Sequence, residues 1–94
     1  MAIREVRISK SAKRALKKVP GYIVDKLESW VGAVERDGLH EVCKIPGYHD
    51  EPLKGERQGQ RSIRLSRGYR AIYTVKRDGE VEFASIEEVS KHDY

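Results

Sequence analysis

The sequence predicts an α+β domain in which an N-terminal strand and two helices pack on one face of a twisted antiparallel sheet. Apolar residues recur at helical spacing in the first half of the chain, and they alternate with polar residues in the last third. The length of 94 residues allows one hydrophobic core. We therefore expect a single domain over residues 1–94.

The first strand and the two helices are predicted before residue 38. Residues 2–8 alternate as a strand does, and Ser9 or Ser11 can cap the short helix that follows. Pro20 breaks that helix, and Gly38 ends the next one. The second helix carries an apolar stripe that places Trp30 in the core, formed by Ile23, Val24, Leu27, Trp30, Val31 and Val34.

Residues 40–60 are predicted to form a long ordered loop, because prolines and glycines interrupt any regular spacing of apolar residues. Residues 41–45 are predicted as a short strand within it. Long loops in compact domains tend to be functional. Alternating runs at 61–66, 69–76 and 80–89 then predict three antiparallel strands joined by tight turns. Because the helices cover one face of this sheet, we expect function on the other face.

Positive charge is concentrated in the second half of the chain. The whole chain has a net charge of +4 and a pI near 9.3. Residues 50–77 hold eight Lys or Arg against three Asp or Glu, whereas residues 78–94 hold one against six. A concentrated positive field attracts polyanions. Nucleic acid or an acidic protein is therefore the expected partner.

Several locations and kinds of site are not expected. The single cysteine, Cys43, forms no internal disulfide, and the N-terminus has no apolar signal run, so a cytoplasmic location is the simplest. No segment approaches the roughly 20 apolar residues that span a bilayer, so no membrane partner is expected. Cys43, His40 and His49 lack the spacing of a zinc site, so we expect no metal.

The strand pattern suggests a cluster of arginines at one end of the sheet. Alternation with Ile63 and Leu65 places Arg64 on the polar face. Arg67 in the turn and Arg70 at the start of the next strand would lie near it, and guanidinium groups suit phosphate oxygens. The alternative is that these arginines are solvated or paired with glutamates, and so contribute little. The available glutamates are Glu51, Glu56, Glu80, Glu82, Glu87 and Glu88.

The last residues supply a second group of candidates. His92 and Tyr94 would place a proton donor, a proton acceptor and a stacking ring at the end of a strand. His49 would approach them only where the loop folds over the sheet edge. The alternative is an incidental surface histidine.

Three segments carry a family resemblance: EPLKGERQG at 51–59, RSIRLSRGYRAIY at 61–73 and KHDY at 91–94. They resemble the RelE/ParE superfamily of bacterial toxin–antitoxin systems, particularly the RelE-type ribosome-dependent mRNA interferases. The likeness covers essentially the whole chain. It implies a RelE-like fold and a toxin that cleaves mRNA on the ribosome, inhibits translation and is neutralised by an antitoxin.

The resemblance also implies site residues. Arg70 would contact the scissile phosphate together with Arg64, Glu51 or His92 would be the general base, and His92 or Lys54 the acid. Tyr94 matches a stacking position. The nucleophile is the RNA 2′-hydroxyl, so no metal or cofactor is required. The residues expected to hold RNA phosphates are Lys13, Lys17, Lys54, Arg57, Arg61 and Arg67.

Two other functions fit the same fold and charge. A ParE-type DNA gyrase inhibitor acts by protein binding, and such members generally lack a C-terminal His/Tyr pair beside the arginine of the GYR match. An inactive nucleic-acid-binding relative needs only the positive charge. Inducing the protein and asking whether translation or DNA supercoiling fails first would distinguish an mRNA interferase from a gyrase inhibitor.

Overall fold

The computed structural model describes residues 2–91 and shows the predicted α+β class. Within that range the strands are β1 (Glu5–Ile8), β2 (Glu51–Pro52), β3 (Arg61–Arg64), β4 (Tyr69–Asp78) and β5 (Val81–Lys91). The helices are α1 (Lys10–Leu16), α2 (Gly21–Asp37) and α3 (Leu39–Val42), and 3-10 turns span Pro46–Tyr48 and Gly55–Arg57. No helix of residues 2–91 has the length and apolar character needed to cross a bilayer.

The strands form one sheet in the order β1-β5-β4-β3-β2. Strands β3, β4 and β5 form the predicted antiparallel meander, and β2, which lies in the segment predicted as a loop, pairs antiparallel with β3. Strand β1 runs parallel to β5, with Glu5 opposite Phe83, so the sheet is mixed rather than wholly antiparallel. A parallel pair needs a long connection, and here the rest of the domain supplies it.

Both predicted helices begin where the sequence predicts and α2 also ends there, whereas α1 ends at Leu16, four residues before Pro20. Ser9 caps α1, because its hydroxyl accepts a hydrogen bond from the Ala12 backbone N–H at 3.0 Å. Helix α2 follows Pro20 and ends at Gly38. Gly38 has a φ of 88°, in the region that favours glycine. Trp30 on the apolar stripe of α2 is fully buried, as expected.

The predicted strand at 41–45 is wrong. Residues 39–42 form the short helix α3, which packs against α2. Leu39 and Val42 are three residues apart, so a helical turn brings both side chains to one face, where both are buried. A strand would have placed them on opposite faces.

The helices pack on one face of the sheet, and the core lies between the two layers. At its centre the rings of Trp30 on α2 and Tyr73 on β4 lie 5.2 Å apart at a tilt of 46°. The sheet contributes every second residue of its long strands, including Ile63, Ala71, Tyr73, Ala84 and Ile86. The residues between them therefore point to the other face.

Candidate functional site

The face of the sheet opposite the helices is called the open face here, and its central residues are Glu51, Ser62, Arg64, Arg70, Ile72, Glu88 and Ser90. Arg64 on β3 lies opposite Arg70 on β4, and Arg70 lies opposite Ser90 on β5. The neighbouring row runs Glu51, Ser62, Ile72 and Glu88. Directly paired residues share a face, and so do residues two apart along one strand.

Arg70 lies on the open face near the start of β4 and is half-buried. Its Nε atom is buried and has no hydrogen-bond partner among residues 2–91. Leaving a buried donor unpaired costs about 1–3 kcal/mol, so an anion that accepts from it would be favoured. Arg64 is exposed directly across from it. The two guanidinium groups remain charged at any working pH, and together they form a candidate phosphate site.

Several other cations of the second half are paired with glutamates. Arg57 bonds Glu88 at 2.9 Å, and Arg77 lies 3.7 Å from Glu82. Arg64, Arg67 and Arg70 have no ion pair of this kind within the described range. Pairing with glutamates, one part of the alternative considered for the arginines, thus holds for Arg57 and Arg77. It does not hold for the cluster at the end of β3 and the start of β4, where Arg64 and Arg67 are exposed.

Glu88 is a candidate that the sequence pattern did not single out for function. Its carboxylate accepts hydrogen bonds from Arg57 Nη2 at 2.9 Å and from Ser90 Oγ at 3.0 Å. The bond from Arg57 is the main cause that lowers the pKa of Glu88. Partial burial opposes it, and Ser90 and the nearby charge of Arg70 lower the pKa further. Glu88 is therefore an ionised carboxylate beside the arginine pair.

A β-bulge explains why the pattern missed Glu88. The register between β4 and β5 shifts at Ile72 and Tyr73, so Ile72 faces Glu88 while Tyr73 faces Ile86. The extra residue, Glu87, bonds Thr74 at 3.2 Å and Lys76 at 2.7 Å, which places it on the open face as well. Strict alternation allows only one of two successive residues on a face, and the bulge allows both.

Arg61 lies on the helix side of the sheet rather than on the open face. Its Nε donates to Asp50 Oδ1 at 2.7 Å, and the Tyr73 hydroxyl donates to Asp50 Oδ2 at 2.5 Å. The Asp50 side chain has no exposed surface. Burial is the main cause that raises the pKa of Tyr73, and the bond to Asp50 adds to it. Arg61, predicted to hold RNA, is thus the partly exposed member of a polar cluster with the buried side chains of Asp50 and Tyr73.

The other predicted residues are spread over three places. Glu51, Lys54 and Arg67 are exposed at or near the β2 to β4 end of the sheet. Lys13 on α1 and Lys17 at the C-cap of α1 are both exposed. This helix packs against β5 in the helix layer, on the other side of the sheet from the open face. Residues 92–94, which include His92 and Tyr94, lie outside the described range.

No clustering of metal-binding side chains is found in residues 2–91. His49 is exposed and ends the 3-10 turn Pro46–Tyr48 with a φ of 49°. His40 contacts Cys43 only through its backbone carbonyl, which accepts from the thiol at 3.1 Å.

Known structures share this fold. A chain of the RelBE2 toxin–antitoxin complex from Mycobacterium tuberculosis is 25% identical, with 98% of this chain and 100% of that chain covered and a TM-score of 0.68. The YoeB/ParE toxin from Agrobacterium tumefaciens is 19% identical, with 95% and 99% covered and a TM-score of 0.67. A chain of the DinJ–YafQ toxin–antitoxin complex from E. coli is 19% identical, with 95% and 92% covered and a TM-score of 0.68.

Sequence comparison identifies the family. Curated protein sequences give no match. The family model described as the ParE toxin of type II toxin–antitoxin systems, parDE, matches residues 6–91, which is nearly the whole chain. The superfamily expected from the three resembling segments is thereby confirmed. The chain belongs to the ParE toxin family of type II toxin–antitoxin systems, within the RelE/ParE superfamily.

Proposed function

We propose that this toxin is a metal-independent endoribonuclease that cleaves mRNA on the ribosome by 2′-hydroxyl attack and so inhibits translation. The observation that carries the proposal is Arg70, whose buried Nε has no partner within residues 2–91. A permanently charged group held in this way beside a second arginine, Arg64, is suited to a phosphate that gains negative charge in the transition state.

The chemistry requires few groups from the protein. RNA carries its own nucleophile, the 2′-hydroxyl next to the scissile phosphate, and attack forms a 2′,3′-cyclic phosphate. Arg70 and Arg64 stabilise the pentavalent phosphorus, which is worth about a hundredfold to a thousandfold in rate per group. A carboxylate on the same face takes the proton, and Glu51 is the one that the resemblance implies. His92 or Lys54 would protonate the leaving 5′-oxygen, and Tyr94 would stack on a base.

Binding to the ribosome would use exposed cations that have no ion pair within residues 2–91. Lys54 and Arg67 lie beside the site, and Arg57 would add its charge there while it is bonded to Glu88. Helix α1 presents Lys13 and Lys17 on a segment without any acidic residue. Since α1 lies in the helix layer, it would contact a different part of the ribosomal RNA from the open face. Such phosphate contacts position the toxin without reading sequence.

The expected protein partner is a cognate antitoxin. The RelBE2 and DinJ–YafQ structures are toxin–antitoxin complexes. An acidic or amphipathic antitoxin segment would cover the basic surface of this chain and block RNA. The toxin would meet the antitoxin, the ribosome and the translated mRNA in the cytoplasm.

Inhibition of DNA gyrase by protein binding is the second candidate, and the match to the parDE toxin model favours it. The test is a time course after induction in growing cells, with amino-acid incorporation and plasmid supercoiling measured in the same culture. The nuclease proposal predicts that incorporation stops while supercoiling is normal. Loss of supercoiling before any loss of incorporation would contradict it and support gyrase inhibition.

A further inference from the structure

We propose that Glu88 is the general base that accepts the proton of the RNA 2′-hydroxyl, an assignment that rests on the proposed nuclease function. The reasons are its place relative to Arg70, the way its carboxylate is held, and its access to solvent. Glu51, the carboxylate that the family resemblance implies, is also exposed to solvent, but it shares neither the place beside Arg70 nor the fixed carboxylate.

Position favours Glu88 over Glu51. Arg70 faces Ser90 across the β4–β5 pair, and Glu88 is two residues from Ser90 on the same face, so Glu88 is the diagonal neighbour of Arg70. Diagonal neighbours lie about 7–8 Å apart, within the reach of long side chains. Glu51 lies on β2, two strands from β4. At about 4.8 Å per strand, β2 is roughly 10 Å from β4, the strand that carries Arg70.

The Glu88 carboxylate is also fixed in place. Arg57 Nη2 bonds Oε1 at 2.9 Å, and Ser90 Oγ bonds Oε2 at 3.0 Å. The side chain is still 37% exposed, so a substrate can reach it. Glu51 is exposed, and no hydrogen bond or ion pair holds its side chain within residues 2–91. A base that is already oriented loses less freedom when the substrate binds.

The charges around Glu88 keep it ionised. Arg57 faces it from the 3-10 turn Gly55–Arg57, Arg70 faces it from β4, and Ser90 donates from its own strand. The adjacent acid, Glu87, is neutralised by Lys76 at 2.7 Å. Glu88 is therefore ready to accept a proton across the physiological pH range, although its lowered pKa makes it a weaker base than a free carboxylate.

The reaction moves one proton to Glu88 and another to the leaving 5′-oxygen. Glu88 takes the 2′-hydroxyl proton, the 2′-oxygen bonds to phosphorus beside Arg70, and the bond from phosphorus to the 5′-oxygen breaks. The 5′-oxygen takes a proton from water or from an acid of the toxin. The products are a 2′,3′-cyclic phosphate and a 5′-hydroxyl, and Glu88 then returns its proton to solvent.

The test compares Glu88→Gln with the matched control Glu87→Gln in single-turnover cleavage of mRNA on purified ribosomes. The two acids are adjacent on β5, and each is paired with one cation. We expect Glu88→Gln to slow cleavage about a hundredfold or more. Glu87→Gln should keep the wild-type rate, and ribosome pelleting should show unchanged binding for both. Thermal melts confirm that each variant is folded.

A second variant, Arg57→Gln, keeps the carboxylate but removes its main cation. The pKa of Glu88 then rises, so the acid limb of the pH–rate profile should move to higher pH. A merely structural ion pair would change the melting temperature without moving that limb. Full cleavage by Glu88→Gln, or an acid limb that does not move in Arg57→Gln, would overturn the assignment of Glu88 but not the proposed nuclease function. Intact mRNA with the wild-type toxin would overturn the proposed function and this assignment together.

Discussion

The polar cluster of Asp50, Arg61 and Tyr73 allows a quantitative prediction about folding stability. Asp50 has no exposed side-chain surface and accepts from Arg61 Nε at 2.7 Å and from the Tyr73 hydroxyl at 2.5 Å. Asp50→Ala removes a hydrogen bond between charged groups, worth about 1.5–3 kcal/mol, and leaves the Tyr73 hydroxyl unpaired at a cost of about 1–3 kcal/mol. Arg61 is 37% exposed and can regain water, which favours the lower part of the sum. We expect a loss of about 3 kcal/mol.

A double-variant cycle measured by urea unfolding tests this account. Tyr73→Phe alone should cost about 1 kcal/mol, because it removes one hydrogen bond but leaves Asp50 paired with Arg61. In the Asp50→Ala background the same change should cost nothing or should stabilise, because it removes the unpaired hydroxyl. Simple additivity of the two costs would refute the reasoning, as would a loss below about 1 kcal/mol for Asp50→Ala.

Three further predictions follow from charges and partners. The hydrogen bonds from Lys76 and Arg57 lower the pKa values of Glu87 and Glu88 from 4.5, so the contribution of these two groups to the unfolding free energy should be complete above that pH and should fall as the pH drops below it. The Glu87→Gln/Glu88→Gln double variant should flatten this fall in acid unfolding curves. The Lys13→Ala/Lys17→Ala double variant should bind the ribosome more weakly, with a shallower salt dependence, and should keep the wild-type cleavage rate on bound ribosomes. A wild-type salt dependence in ribosome-pelleting assays would contradict a role of these lysines in ribosome binding. Co-expression of the neighbouring open reading frame should restore growth, and continued arrest with every adjacent gene would count against the antitoxin proposal.

Much of the fold was predictable because its signals are local. The cap at Ser9, the stop at Gly38 and the stripe that buries Trp30 each depend on residues within a few positions. The strand prediction for residues 41–45 was wrong because so short a run fits both the helical and the strand pattern of apolar residues. The helix forms here because it buries Val42 against α2. The parallel pairing of β1 depends on contacts from opposite ends of the chain, which no local pattern reports.

The candidate site was predictable in part for the same reason. Alternation placed Arg64 correctly, and the short turn after β3 brings Arg70 opposite it. Arg61 points to the helix side because it alternates with Ser62 and Arg64 along β3, and its partner Asp50 lies eleven residues earlier, just before β2. Glu88 was missed because the bulge that places it on the open face is a property of the pairing of β4 with β5. His92 and Tyr94 lie outside the described residues, so their roles stay predictions.

The most direct test of the central claim is primer extension on mRNA from induced cells. Wild-type toxin should produce discrete breaks within translated codons. Arg70→Ala should produce none and should no longer arrest growth, because the cation that stabilises the pentavalent phosphate is lost. Arg77→Ala is the matched control: it is paired with Glu82 away from the arginine cluster, and it should keep the breaks. Intact messages with wild-type toxin, in cells whose gyrase is inhibited, would contradict the nuclease account.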